Sequence, residues 1–395
     1  MVKSLSALLA ACLFASGVFA HDHPAHNAPK PNYAKMWQEK LEKSPRLAVA
    51  ATFDSTGRLW LARTVGKHLE VSHSDDAGLS FSPSATVNSA PELISADGES
   101  RPQIAVSGQR VFLSWTQGLP QPFAGHIRFA RSEDGGKNFS DPVTINDNRD
   151  PITHRFNAML ADDQAITIAW IDKRDGNGKT DYKGAAIYTA RSTDGGRSFA
   201  ANQKLADHSC ECCRIGIAAD RDGTPLVFWR HIFDGGIRDF ALARLGEPLK
   251  RASVDGWKID ACPHHGGSLA VDEKGGKHLA WFTGAEKSPG LHYRRVDGTS
   301  MTPPMPFGNL DAQAGHPALA ITGESTHLAW REYDGKENRI MAMQSGDRGL
   351  NWTQPAALAS TPGAADDPLL INGRGAAWLV WNTADQGLKI VKLNQ

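Results

Sequence analysis

The eight-residue stretch Ser132-Glu-Asp134-Gly-Gly136-Lys-Asn-Phe139 decides the fold, because its pattern returns along the chain. The pattern is Ser-x-Asp-x-Gly-x-x-aromatic, and it occurs again at residues 74–81, 192–199 and 345–352. The Ser and Asp side chains can bond the amides of their own turn, while the glycine permits a positive φ and the aromatic ring can pack beneath. Four equivalent hairpin turns are therefore predicted.

Short apolar strands that end near a tryptophan recur between these turns. The seven tryptophans are Trp60, Trp115, Trp170, Trp229, Trp281, Trp330 and Trp381, and about 50 to 60 residues separate each from the next. A period of this length with no helical pattern inside it indicates the blades of a β-propeller. We expect an all-β domain over residues 44–395 with seven four-stranded blades, and a different assignment of one shared blade would give six.

The four turns and the repeated strands resemble those of the Asp-box, or BNR-repeat, β-propellers of the sialidase-like family. The resemblance spans nearly the whole domain and implies that the turns lie on the blade rims and take no part in chemistry. Repeats four and five lack a clean copy of the turn, and repeat seven ends after its third strand. We expect a segment upstream of Arg46 to supply a closing strand, because an open sheet edge is a liability.

Residues 1–20 have the features of a secretory signal peptide, namely Lys3, an apolar run and a small-residue cleavage site at Ala20. A periplasmic or secreted protein is therefore predicted. The residues around Cys12 also resemble a lipoprotein box, but the apolar stretch that follows them favours ordinary cleavage. No later stretch is apolar enough for a membrane span.

The charge of the chain is balanced, with 43 Lys plus Arg and 43 Asp plus Glu. A protein without a global basic field has little attraction for a phosphate backbone, so nucleic acid is not an expected partner. Binding surfaces must arise from local groups of side chains.

Cleavage after Ala20 would leave a tail that begins His21-Asp-His23, followed by a linker and a short helix up to residue 43. A free amino group, amide nitrogens and the imidazole of His23 can surround a square-planar ion, the geometry of Cu(II) or Ni(II). This start resembles the amino-terminal copper and nickel binding motif, and the first-position His21 adds a further imidazole. The alternative is a solvated tail whose histidines have no role.

Four cysteines remain after cleavage, and three of them lie within four positions: Cys210, Cys212 and Cys213. Cys262 occupies the matching place in the next repeat. The neighbouring imidazoles are His208, His264 and His265. Thiolates and imidazoles form a soft ligand set that suits Cu(I) and also holds Zn(II).

We therefore predict a copper site, with zinc as the alternative ion, at the axial face between blades four and five. Another exported metal-handling protein would be the partner. Two other interpretations stay open. In an oxidising compartment Cys262 could pair with one cysteine of the cluster while the other two pair locally, giving a scaffold with a disulfide staple. Thiol redox chemistry is the third interpretation.

The residues just before each blade's first strand should converge on the propeller axis. Several of them are basic and could bind an anionic ligand: Arg46, Arg101, Arg155, Arg214 and His316. The alternative is that these arginines pair with Asp366 and Asp367 in the same ring.

The family resemblance implies a second function, that of a sialidase-type glycoside hydrolase. Arg46, Arg101 and Arg155 would clamp the substrate carboxylate through bidentate bonds. The nucleophile would be a tyrosine activated by a glutamate, and Tyr333 beside Glu332 is the candidate pair. A full catalytic set cannot be assembled, so the leading hypothesis remains metal binding without catalysis.

Overall fold

Seven antiparallel sheets form a ring in the computed structural model, which describes residues 45–393 together with Lys35, Glu39 and Lys43. These last three residues are helical. The predicted signal peptide, His21, His23 and the segment expected to supply a closing strand lie outside the described residues. Among the described residues, no helix is long and apolar enough to cross a membrane.

The first four sheets are blades 1 to 4, each with four strands in sequence order. Their strands are β1 (Ala50–Phe53), β2 (Leu59–Val65), β3 (His68–Ser74), β4 (Ala85–Thr86); β5 (Gln103–Ser107), β6 (Arg110–Gly118), β7 (Gly125–Ser132), β8 (Val143–Thr144); β9 (His154–Ala161), β10 (Ile166–Asp172), β11 (Ala185–Ser192), β12 (Gln203–Ser209); and β13 (Gly216–Ala219), β14 (Pro225–Arg230), β15 (Phe240–Arg244), β16 (Lys250–Arg251).

Blades 5 to 7 complete the ring. Their strands are β17 (Ser268–Val271), β18 (Lys277–Thr283), β19 (Gly290–Asp297), β20 (Ser300–Met301), β21 (Met305–Phe307); β22 (Gly315–Thr322), β23 (Ser325–Tyr333), β24 (Asn338–Ser345), β25 (Ala356–Thr361); and β26 (Leu369–Gly373), β27 (Ala376–Thr383), β28 (Gly387–Lys392). In blade 5 both β20 and β21 pair with β19. The seven-bladed all-β prediction is confirmed, and the alternative count of six is wrong.

The first strands of neighbouring blades contact one another around the whole ring, including β26 of blade 7 against β1 of blade 1. A side-chain bond across this junction runs from Asn382 Nδ2 to the Leu47 carbonyl at 3.0 Å. Blade 7 has three strands among the described residues. The ring therefore closes through its inner strands.

The second strand of each blade carries the repeated tryptophan, and six of the seven indoles are less than 2% exposed, Trp60 being 3% exposed. Each of these six packs in an apolar cluster shared with the preceding blade. Six of the seven indole N–H groups donate to a carboxylate or a carbonyl, as Trp115 does to Glu92 at 2.8 Å. The exception is Trp229 in blade 4, whose buried Nε1 has no partner.

The four eight-residue motifs form equivalent turns between the third and fourth strands of blades 1, 2, 3 and 6. In the turn of blade 2, Ser132 Oγ donates to Asp134 Oδ1 at 2.7 Å and accepts from the Gly136 amide at 3.0 Å. The other three turns have the same two bonds. The side-chain bonding that the sequence predicts for these turns is therefore present.

The glycine of each turn also allows a close approach to the preceding blade. Gly136 has a φ of +77°, and a Cβ built on it would lie 2.7 Å from the Trp60 indole. The corresponding glycines Gly78, Gly196 and Gly349 face Ile390, Phe129 and Tyr293 in the same way. These four turns thus seat blades 1, 2, 3 and 6 against the blade before each of them.

A first prediction concerns this contact. Gly136→Ala should destabilise the protein by the cost of a positive φ, about 1 kcal/mol, and by a further 1 to 3 kcal/mol, roughly, from overpacking against Trp60. The matched control is Gly66→Ala, because Gly66 has a φ of +60° but no neighbour within 4 Å. Urea unfolding of both variants measures the difference, and equal losses would contradict the proposed seating of the turn.

Candidate metal centre and central cavity

A cavity of about 1200 Å³ opens at one end of the propeller axis. Residues that precede or begin the first strands of all seven blades line it. One lining residue from each blade, in order, is Arg46, Asp97, Arg155, Cys212, His265, His316 and Asp367. Cys262, His264 and Asp366 also line this cavity, whereas Arg101, Cys210, Cys213 and Arg214 are not among the lining residues.

Three thiols meet in the segment that joins β12 of blade 3 to β13 of blade 4. The sulfur of Cys210 lies 3.7 Å from that of Cys212 and 3.4 Å from that of Cys213, and the last two are 4.0 Å apart. All three residues are buried, with exposures of 1%, 5% and 2%. The Cys210 amide donates to the Arg230 carbonyl of β14 at 2.9 Å, which fixes the segment to blade 4.

The surroundings of the three thiols shift their pKa values in different directions. Bonds with the Cys212 and Cys213 thiols lower the pKa of Cys210, and the Arg230 guanidinium lowers it further against the effect of burial. Bonds with the other two thiols, together with burial, raise the pKa of Cys212, and burial raises that of Cys213. A second and third thiolate would therefore need an added cation beside them.

The other predicted metal ligands in the described part of the chain do not join these three sulfurs in one group of ligand atoms. Among the described side chains, the sulfur atoms that lie within 4.8 Å of one another belong to Cys210, Cys212 and Cys213. Cys262 is exposed in the cavity wall. His208 Nδ1 lies 3.1 Å from the Lys183 carbonyl, and the His265 ring stacks on Phe282 with centroids 4.2 Å apart. The four described cysteines are free thiols.

A second group of ligand-type atoms surrounds His316. Its Nδ1 lies 2.9 Å from Glu99 Oε1 and 3.0 Å from Asp367 Oδ2. The Glu99 carboxylate also accepts from the amides of Arg214 and Gly266, each at 2.8 Å. Glu99 was not predicted as a site residue, although its position two residues before Arg101 places it just ahead of a first strand.

Charges around His316 hold it in its cationic form. Burial alone would lower the pKa of His316, but the Asp367 charge and the bonds to Asp367 and Glu99 outweigh burial and raise the pKa to about 8. Burial opposes ionisation of Asp367 as well, yet His316 and Arg331 hold the pKa of that carboxyl well below its usual range. The neighbouring His265 is different, because burial and the charge of His316 lower its pKa to about 3.

The predicted ligand-binding arginines have internal partners. Arg101 makes a two-pronged ion pair with Asp366, with both N···O distances at 3.1 Å. Burial nevertheless raises the pKa of Asp366 to about 6 against the charge of Arg101. Arg46 donates to the Gly66 carbonyl, and Arg214 Nη1 lies 3.4 Å from Glu99. Arg101 therefore pairs with an acidic residue of the same ring, which is the alternative that the sequence left open for it.

Arg155 and the predicted catalytic pair occupy different surroundings. Arg155 lines the cavity, and burial lowers its pKa against the charges of Asp97 and Cys212. Glu332 accepts from the Trp330 indole and from the Asn309 amide, both at 2.8 Å. Neither Glu332 nor Tyr333 lines the cavity. The structure therefore leaves Arg155 on the cavity and Tyr333 away from it.

The comparisons with known proteins establish the architecture. No protein-family model matches the chain, and no curated protein sequence matches it. A polysaccharide lyase described as a PL25 ulvan lyase superimposes with a TM-score of 0.57 at 12% identity, covering 90% of this chain and 92% of the lyase. Likeness at this identity shows a common fold, here the seven-bladed propeller.

Two further solved structures agree. A protein of unknown function from Dyadobacter fermentans has a TM-score of 0.53 at 16% identity, covering 77% of this chain and 95% of its own. The polysaccharide lyase Uly1 has a TM-score of 0.51 at 11% identity, with 87% and 90% covered.

A second prediction concerns pH. Because the folded pKa of His316 is about 8 and its ordinary value is 6.5, protonated His316 stabilises the folded state by about 2 kcal/mol. This contribution is fully present below pH 6.5 and is lost as the pH rises through 8. The His316→Gln variant should lack the loss, which urea unfolding at pH 6 and pH 9 measures. An identical pH dependence in both proteins would contradict the assignment.

Proposed function

We propose that this propeller is an exported protein that binds a transition metal ion, copper first and zinc as the alternative, at Cys210, Cys212 and Cys213. The observation that carries the proposal is the meeting of three buried sulfurs within 3.4 to 4.0 Å of one another. Thiolates are the ligands that soft ions such as Cu(I) prefer, and Zn(II) also accepts them.

The sulfur spacing supports one shared ion. Three ligands about 2.3 Å from a metal, at angles between tetrahedral and trigonal, lie about 3.8 to 4.0 Å apart. The distances from Cys210 to Cys212 and from Cys212 to Cys213, 3.7 and 4.0 Å, match this spacing, and the 3.4 Å pair needs only a small adjustment. The ion would supply the positive charge that allows the remaining thiols to ionise.

The cavity supplies an entry path, because Cys212 lines it. Cys262 lines the same cavity, so in the proposal it is a secondary contact that could pass an ion inward. The amino-terminal His21 and His23 form a separate Cu(II)-type site whose support comes from the sequence. Another exported metal-handling protein would deliver or receive the ion.

Metal analysis tests the proposal. Full-length protein, reduced and reconstituted anaerobically with Cu(I), should retain about one ion in the propeller, and Cys212→Ser should bind it more weakly because one of the three sulfur ligands is gone. The matched control is Cys262→Ser, which removes a thiol of the same cavity that lies outside the cluster. We expect this variant to keep its ion, as measured by elemental analysis and by competition with a chromogenic chelator.

Two outcomes would change the assignment. Protein that holds neither copper nor zinc with its thiols intact would contradict a metal site. A thiol count of zero in protein isolated without reductant would favour the scaffold with a disulfide staple. Loss of the ion in Cys262→Ser would instead indicate that Cys262 is one of the metal ligands.

The second candidate function is that of a carbohydrate-active enzyme, such as a glycoside hydrolase of sialidase type. The size of the cavity favours it, since about 1200 Å³ accommodates a small oligosaccharide and Arg46, Arg155 and Arg331 line the space. The Asp-box resemblance and the fold shared with polysaccharide lyases are consistent with this candidate.

Turnover assays decide this second candidate. If it holds, a fluorogenic sialoside or an anionic polysaccharide should be cleaved, and Arg155→Lys should reduce kcat/KM by about tenfold or more through the loss of bidentate geometry. Cys212→Ser serves as the control, because a hydrolase does not need the thiols. Absence of turnover across several glycosides and polysaccharides would exclude the enzyme.

A further inference from the structure

Arg230 is a buried guanidinium without a carboxylate partner. Its side chain is 1% exposed, Nη1 donates to the Arg238 carbonyl at 3.1 Å, and Nη2 donates to the carbonyls of His265 and Phe282 at 3.0 and 2.8 Å. Its Nε has no partner. Within the described part of the chain, no carboxylate oxygen lies within 4.0 Å of this group. A buried charge that lacks an opposite charge is strongly unfavourable.

Arg238 is only partly buried, but it also has no carboxylate within 4.0 Å in the described part of the chain, and it lies beside the sulfurs. Its Nε donates to the Ile259 carbonyl at 2.8 Å, and Nη1 donates to Cys210 Sγ at 3.4 Å. The acidic residue of the cysteine segment, Glu211, is paired with Lys173 at 2.9 Å. The anion that the described residues can offer to Arg238 is therefore a thiolate.

The two guanidinium groups and the thiols belong to one bonded unit. The Cys210 amide is bonded to the Arg230 carbonyl at 2.9 Å, and the Arg230 side chain is bonded to the Arg238 carbonyl. Movement of the cysteine segment would thus disturb both arginines. Backbone carbonyls of blade 4, of blade 5 and of the segment between them thus fix where the two guanidinium groups lie.

We propose that Arg230 and Arg238 are the counter-ions of a metal complex with a net charge of −2, and that they select a monovalent soft cation over a divalent one. The inference deepens the proposed function and rests on it. Three thiolates with Cu(I) carry −2, which two guanidinium groups neutralise. Three thiolates with Zn(II) carry −1, which leaves one positive charge uncompensated in a poorly solvated site.

Coordination preference points the same way. Zn(II) in structural sites takes four ligands, whereas the cluster supplies three sulfurs and the nearby imidazoles have other surroundings. Charge and ligand number therefore both favour Cu(I). Arg238, which donates to a sulfur, acts as a positioning and specificity-determining residue.

Substitution of Arg238 tests the inference on the full chain. Arg238→Gln should lower the Cu(I) affinity by about tenfold to a hundredfold, the usual effect of losing a group that supports a metal ligand, and should leave the Zn(II) affinity unchanged or raise it. Arg238→Lys keeps the charge and should restore most of the Cu(I) affinity. Bicinchoninate competition measures Cu(I) binding, and competition with a chromogenic zinc chelator measures Zn(II) binding.

The controls separate the possible failures. Arg58→Gln, which removes an exposed arginine paired with Asp75 in blade 1, should change neither affinity. Equal losses for both ions in Arg238→Gln, or no loss of Cu(I) affinity, would overturn the counter-ion role. A wild-type protein that binds neither ion would overturn the proposed function instead. Arg238→Met, of similar length and without charge, carries the same expectation if the Gln variant does not fold.

Discussion

The packing of each blade against the one before it is the interaction on which the rest of the structure depends. Buried tryptophans fill the spaces between blades, and the glycine turns bring the rim of one blade close to the next, as Gly136 meets Trp60. This packing closes the ring and holds seven inner strands around one axis. The segments that lead into those strands therefore meet at the axis, where their charged residues line the central cavity.

Local patterns were sufficient to predict the architecture. The turn motif around Ser132 and the tryptophan period both reflect contacts within one blade or between neighbouring blades. Their spacing along the chain therefore predicts the number of blades. The convergence of segments before the first strands also follows from the repeat. For these reasons the seven blades and the lining positions of Arg46, Arg155 and His316 could be read from the chain. Arg101 and Arg214, which the same alignment also placed at the axis, are not among the lining residues.

The partners within the site could not be predicted in the same way. Glu99 bonds Arg214 and His316, which lie 115 and 217 positions away, and such pairs depend on how distant loops meet. Arg230 and Arg238 belong to strands or turns whose sequence gives no sign of a missing carboxylate. The sequence showed which residues approach the axis, but the choice of partner among many nearby charges required coordinates.

Blade 4 and the end of β12 beside it carry a concentration of unsatisfied buried polar atoms next to the thiols. Within 23 residues, Ser209 Oγ, Trp229 Nε1, Arg230 Nε and His231 Nδ1 all lack hydrogen-bond partners. Each such atom lowers the stability of its surroundings by about 1 to 3 kcal/mol. We therefore expect local opening to begin in this part of the propeller. Amide hydrogen exchange should be faster in the segment that carries Cys210, Cys212 and Cys213 than in the other blades. An ion bound to the three sulfurs would therefore stabilise this part of the propeller against local opening.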